Sequence, residues 1–180
     1  MFSHLTTHSA FSLQEGLPLP ADLVDAAQAD GMPALGLTDH RLLSGSLEFV
    51  TACRRAGIQP VLGLEIDVEP GGAGPAGQSG RLALLATSLE GWSNLCRLSS
   101  ALALAPDPEA ACPLELLATF SRDLIALSGD QGDPNGSWLR PLQEIFPGRM
   151  YLALRDPSIG LQLADLGRRQ NLPLVVAHPV

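Results

Sequence analysis

Short apolar runs alternate with stretches of helical periodicity along most of this chain, and that alternation limits the folds open to it. The runs lie around Ser3 to Leu5, in PALGLTDH, and at Pro60 to Glu65, Arg81 to Ala86, Leu124 to Leu127, Met150 to Leu154 and Leu174 to Ala177. Between them Leu23, Val24 and Ala27 recur at helical spacing before Gly31 and Pro33. Ser44 is placed to cap a second helix, which runs through Leu47, Val50, Thr51 and Arg54 to Gly57. Further helices are expected over Leu89–Leu104, Pro113–Ser121, Ser137–Ile145 and Gly160–Gln170. About seven strands alternating with helices give a parallel sheet or a barrel of βα units. Polar residues gather where the strands end, which favours the barrel, because groups at strand C-termini converge only when the strands form a ring. No GxGxxG or GxxxxGK[ST] follows a strand, so a dinucleotide-binding or P-loop reading has no support.

With 180 residues and 46% apolar content, the chain can bury the core of one domain spanning 1–180. The stretch EPGGAGPAGQSG, about residues 69–80, reads as a flexible surface loop. All eleven basic residues are arginines and the formal net charge is -8, so the domain repels phosphate backbones and contacts DNA only indirectly. Cys53, Cys96 and Cys112 lie far apart without a CxxC pair, which fits a reducing cytoplasm better than a disulfide scaffold. No leader pattern and no apolar run of about 18 residues occurs, so neither export nor a membrane span is expected.

Several strand ends carry groups that can ligate a metal. In FSHLTTHSAFS, a strand would turn His4, Thr6 and His8 to one face. Glu15, Asp39-His40, Glu65, Asp130, Asp133 and His178 follow. Imidazole and carboxylate together hold zinc, manganese or iron, and paired ions can clamp a phosphate and generate a hydroxide nucleophile. The same residues serve equally well as helix caps and partners for loop amides. Residue types alone leave both readings open.

The order of motifs FSHLTTHSAFSLQEG, MPALGLTDHRLLSGSLEFVTACRRAGIQPVLGLEIDV, RLALLATSLEGWSNLCRLSS, LIALSGDQGD and LPLVVAHPV resembles the PHP (polymerase and histidinol phosphatase) domain. That domain opens the alpha subunit of bacterial C-family DNA polymerase III and its error-prone relatives. The resemblance spans essentially the whole chain and is strongest from Met32 to Val68. It implies an α/β fold, a distorted (βα)7 barrel incomplete at its C-terminal end, with up to three metals, zinc or manganese, at the strand C-termini. His8 is similar to the second histidine of the family's HxH, Glu15 stands at a usual Asp, His40 matches the TDH ligand, and Glu65 matches the bridging glutamate. Asp130 stands where a Cys or His follows the SG turn. Asp39 matches the Asp beside the metal histidine, the candidate catalytic-site residue, where it can orient an imidazole or cap the following turn.

The departures from the family pattern are as informative. Thr6 replaces the first histidine of HxH, Arg81 replaces a histidine, and the final Asp-x-His becomes His178-Pro179-Val180. A fixed guanidinium charge where a dication belongs implies a degenerate metal site. Arg81 directed into the site would neutralise Glu65 or Asp130. The expected function is therefore the PHP domain of a DNA polymerase III alpha-like protein in replication or repair synthesis, mainly a scaffold. Its partners would be the polymerase domains of a longer chain or a proofreading exonuclease subunit. The end of the chain directly after a strand fits continuation into such a longer polypeptide. The alternative is a stand-alone metal-dependent phosphoesterase or 3′–5′ exonuclease.

Overall fold

The computed structural model describes residues 2–69, 79–129 and 138–177. Six strands form one sheet in the order β1 (Ala34–Leu37), β2 (Gln59–Val68), β3 (Gly80–Ala86), β4 (Leu124–Ser128), β5 (Met150–Leu154) and β6 (Leu174–Val176). Among the described residues six α-helices accompany them: α1 (Pro20–Ala29), α2 (Ser46–Ala56), α3 (Leu89–Ala103), α4 (Leu114–Thr119), α5 (Leu139–Ile145) and α6 (Gly160–Gln170). The strand and helix positions agree with the periodicity to within a few residues, and β5 and α6 coincide with it. Helix α2 is the exception at its start, since its N-cap is Gly45 without a side-chain cap and Ser44 lies outside it. At its other end Gly57 takes φ 72°, the left-handed conformation that glycine adopts without steric cost.

One strand breaks the expected parallel rule. Strand β3 runs antiparallel to both β2 and β4, whereas β1–β2, β4–β5 and β5–β6 are parallel. A parallel β2–β3 pair would need a crossover element, and the Pro- and Gly-rich sequence joining them carries no helical pattern. Glu69 and Gly80 mark the ends of that expected loop, whose residues 70–78 lie outside the described ones.

The seventh strand expected at Ser3 to Leu5 does not form as a regular strand among the described residues. The N-terminal segment nevertheless lies along β1, where the Gly36 amide donates to His4 O at 2.7 Å and the Thr38 amide to Thr7 O at 2.9 Å. The Thr7 hydroxyl donates back to Gly36 O at 2.5 Å, a side-chain bond where a strand would place a backbone one.

Alternation divides the sheet residues between two faces. Outward-facing Leu64, Ile66, Leu82, Leu84, Leu124, Ala126, Met150 and Leu152 pack with residues of α3 to α6, including Leu95, Leu98 and Leu102. A second cluster seats Leu23, Val24 and Ala27 of α1 and Phe49 and Cys53 of α2 on Leu35 and Leu37. Inward-facing Ala83, Leu85, Leu127, Ala153 and Ala177 form a smaller cluster with Leu5 and Val61 at its edge. Small inner residues let the sheet curl into a half barrel. Arg155, just past β5, hydrogen-bonds Glu65 on β2 at 2.7 Å. Three strand spacings separate them, about 14 Å in a flat sheet. The concave curl closes that gap and brings the strand ends onto one rim.

Contact between the N-terminal segment and β1 leaves no room at Gly36, where a Cβ would lie 2.2 Å from Leu5 O. Gly36→Ala is expected to lower stability by roughly 3 kcal/mol, read as a lower urea midpoint at unchanged m-value; a variant as stable as the wild type would show that the N-terminal segment is not fixed against β1.

Candidate metal centre

The rim is assembled from five parts of the chain, the His8–Glu15 segment, the end of β1, β2, the start of β3 and the end of β5. Parallel pairing continues past β1, with Glu65 N donating to Asp39 O and Arg41 N to Glu65 O, so His40 bridges to Glu65 across the sheet. Glu65 and Asp67 sit two apart on β2 and share its inner face. Arg81 is opposite Asp67 in the antiparallel register. The inversion of β3 places this residue, at the beginning of its strand, beside the C-terminal end of β2.

Asp39 secures the segment that carries His8 and Glu15. Its carboxylate accepts from Ser9 N at 2.6 Å, Ser9 Oγ at 2.8 Å and Ser12 Oγ at 2.9 Å, and it is buried. Ser12 Oγ in turn accepts from His40 N at 2.9 Å. Among the described residues the hydrogen bonds of Asp39 thus go to Ser9 and Ser12 and not to an imidazole, and they fix the Ser9–Gly16 turn to the end of β1.

Glu65 is the most enclosed acid at the rim, with its side chain 1% exposed. Arg81 Nη1 donates to its Oε1 at 2.9 Å and Arg155 Nη2 to its Oε2 at 2.7 Å. Arg81 also grips Glu15 with both terminal nitrogens, Nη1 to Oε2 at 2.6 Å and Nη2 to Oε1 at 2.5 Å. Its Nε lies 3.5 Å from Asp67 Oδ1. His8 faces two of these acids, with Nδ1 3.2 Å from Glu15 Oε2 and Nε2 3.5 Å from Glu65 Oε1. His40 Nε2 is 2.9 Å from Asp67 Oδ2, and its Nδ1 is 3.4 Å from Glu15 Oε1. Arg41 completes the group 3.7 Å from Asp67. It also donates to the carbonyls of Pro108, Glu109 and Ala110.

Among the described residues three carboxylates, Glu15, Glu65 and Asp67, therefore meet three guanidinium groups, Arg41, Arg81 and Arg155. The Arg81 hydrogen bonds hold the Glu15 carboxyl below its ordinary range, and the same bonds push the Arg81 guanidinium up, so both stay charged. His8, Glu15 and Glu65 can each offer one donor atom within 4.8 Å of the others, a group able to hold a metal ion by distance.

Of the expected residues, His8, Glu15, His40 and Glu65 converge, and Arg81 is directed into the site as anticipated, onto Glu65 and Glu15. Asp130 lies outside the described residues, as do Asp133 and His178. Three participants were overlooked: Asp67, Arg41 and Arg155. Asp67 follows Glu65 at i+2, and Arg155 continues the inward set of Tyr151 and Ala153, so strand alternation carried a signal for both.

The family model described as PHP domain matches residues 4–155. The chain belongs to the PHP domain family. This PHP domain is 36% identical to an error-prone DNA polymerase of Symbiobacterium thermophilum, covering 99% of the chain and 19% of that protein. It is 34% identical to a DNA polymerase III subunit alpha of Escherichia coli, over 99% of the chain and 17% of the relative. It thus spans about a fifth of the length of the curated relatives it matches. Among solved structures, a putative metal-dependent phosphoesterase from Bifidobacterium adolescentis superposes with a TM-score of 0.63 at 14% identity, covering 97% of the chain and 86% of that protein. An amidohydrolase from Chromobacterium violaceum gives a TM-score of 0.67 at 16% identity, covering 98% and 87%. Both show the shared PHP-like fold.

Two measurements bear on these ion pairs. Because the folded Glu15 carboxyl titrates below its unfolded value, its contribution is complete above the ordinary carboxylate range and is lost as pH falls through the lowered value. Glu15→Gln is expected to cost about 1 kcal/mol at neutral pH, and the difference from wild type should vanish in acid; a constant difference across the titration would contradict the pairing. Arg155→Met leaves buried Glu65 with one cation and is expected to cost roughly 2–3 kcal/mol in urea denaturation; an unchanged midpoint would mean that Arg155 does not compensate Glu65.

Proposed function

We propose that this chain is the PHP domain of a DNA polymerase III alpha-like protein acting in DNA replication or repair synthesis in the cytoplasm. In this reading it is a single domain over 1–180 that serves as a scaffold for the polymerase domains of a longer chain or for a proofreading exonuclease subunit. The relatives named DNA polymerase III subunit alpha and error-prone DNA polymerase support the setting. The observation that carries the scaffold role is the position of Arg81, whose Nη1 lies on Glu15 Oε2 and Glu65 Oε1 together.

Zinc or manganese chemistry is what a PHP fold implies, and the donor types are suitable: one imidazole and two carboxylates. The arrangement does not fit a resident ion, however, because the oxygens that a cation would take already accept from a guanidinium. A dication at hydrogen-bond distance from that fixed positive charge is strongly disfavoured. We read the centre as degenerate, with its acids retained as structural groups, and derive no hydrolytic step through a metal. Indirect engagement of DNA agrees with the net charge of -8.

The second reading, a metal-dependent phosphoesterase or 3′–5′ exonuclease, draws on the convergence of His8, Glu15 and Glu65. Metal analysis of the purified chain together with manganese-supplemented turnover of a generic phosphodiester separates the two. The scaffold reading expects substoichiometric metal, no change in melting on chelation and no turnover. Stoichiometric metal, with turnover abolished by His40→Ala or Glu65→Ala, would replace it with the enzyme.

A further inference from the structure

The two arginines on Glu65 are not equivalent. Arg155 reaches Oε2, the oxygen turned away from His8, and Glu65 is its one salt-bridge partner among the described residues. Arg81 Nη1 instead joins Oε1 of Glu65 to Oε2 of Glu15, the two oxygens that also face His8. A single nitrogen thus stands where the three donors of His8, Glu15 and Glu65 converge. Arg81 is also the more solvent-accessible arginine, its side chain 35% exposed against 29% for Arg155. It approaches from the start of a strand at the rim, from which its long stem can withdraw without disturbing the core.

From this division of labour we infer that the Arg81 guanidinium and a divalent cation are mutually exclusive occupants of one place, so that Arg81 alone bars a latent cation site made by His8, Glu15 and Glu65. The inference rests on the scaffold reading above, in which the wild-type chain holds no resident metal. Among the described residues, withdrawing Arg81 leaves Glu15, Glu65 and Asp67 facing Arg155 and Arg41, one unit of negative charge in excess. That excess, with an imidazole and two carboxylate oxygens already gathered, favours a divalent ion of the manganese type. Substituting Arg155 would free only the oxygen on the far side of Glu65 and leave the Arg81 plug in place. Arg155 is thus a positioning residue for the buried acid, whereas Arg81 is the plug.

Manganese is the suitable probe, because the buried thiols Cys53 and Cys112 and the half-buried Cys96 would complicate work with zinc. The 180-residue chain and its Arg81→Ala, Arg81→Met and Arg155→Lys variants are titrated with Mn²⁺ by calorimetry. Electron spin-echo measurements then detect nitrogen coupling to the bound ion, and thermal melting is recorded with and without Mn²⁺. Both Arg81 variants are expected to bind one equivalent at least about tenfold more tightly than wild type, since a like charge in contact with the ion has been removed. Their melting temperature should rise with Mn²⁺, and adding Glu15→Gln or His8→Ala should abolish the gain. Arg155→Lys should bind no better than wild type. Folded Arg81 variants that bind Mn²⁺ no better than wild type would overturn the inference while leaving the scaffold reading intact. Tight stoichiometric binding by the wild type would overturn both.

Discussion

A carboxylate as enclosed as that of Glu65 must be compensated where it stands, and much of the rim follows from that requirement. Desolvating a lone carboxylate costs several kcal/mol, and pairing repays it only when both oxygens find good donors. Glu65 meets this with one guanidinium on each oxygen. The two cations come from different distances along the sheet, one from β3 next to it and one from just past β5, three strands away. The acid therefore ties together strands that backbone pairing alone would leave three positions apart. The inner face supports the same closure, since Ala83, Ala153 and Ala177 occupy little volume and allow the sheet to curve.

Asp39 provides a second buried fastening with different chemistry. Its partners are neutral hydroxyls and an amide, and they all belong to the turn that carries Glu15. Ser12 Oγ relays this to the His40 amide, so the turn and the end of β1 are fixed to each other. Arg41, with a backbone φ of 63°, then reaches back to the carbonyls of Pro108, Glu109 and Ala110. Separate loops are thereby placed around the charged cluster without any of them contributing a regular strand. The rim is an electrostatic and hydrogen-bonded structure resting on an apolar half barrel.

Period-two and helical patterns made β1, β2, β4, β5 and α6 legible, because each has one face committed to the core. The direction of β3 was not legible in the same way. Its alternation, with Leu82 and Leu84 outside and Ala83 and Leu85 inside, is identical for parallel and antiparallel pairing. Only the nature of the connection distinguishes them, and a Pro- and Gly-rich stretch is weaker evidence than a helix would be. The N-terminal segment departs from a regular strand for a related reason: the Thr7 hydroxyl donates to Gly36 O beside the backbone bonds to β1, a side-chain contact that no hydrophobic period records. At the site, motif similarity picked out His8, Glu15, His40 and Glu65. For Arg155, alternation marks only an inward-facing position; its reach to Glu65 depends on sheet curvature, a property of the assembled strands rather than of any local sequence.

The direction of β3 also decides the chemistry of the rim. In a parallel β3, its first residue would lie at the opposite end of the sheet from the ends of β1, β2 and β5, and Arg81 could not reach Glu65. Antiparallel pairing instead sets Arg81 opposite Asp67 and one inward position from the level of Glu65. The charge at this position is then delivered to the centre by backbone topology, with the side chain required only to bend inward. At this point the Arg81 guanidinium brings a fixed positive charge, covalently attached to the chain, between the carboxylates of Glu15 and Glu65. The charge balance of the rim thus depends on one residue at an inverted strand start, whose guanidinium joins Glu15 to Glu65 and so ties the N-terminal turn to β2.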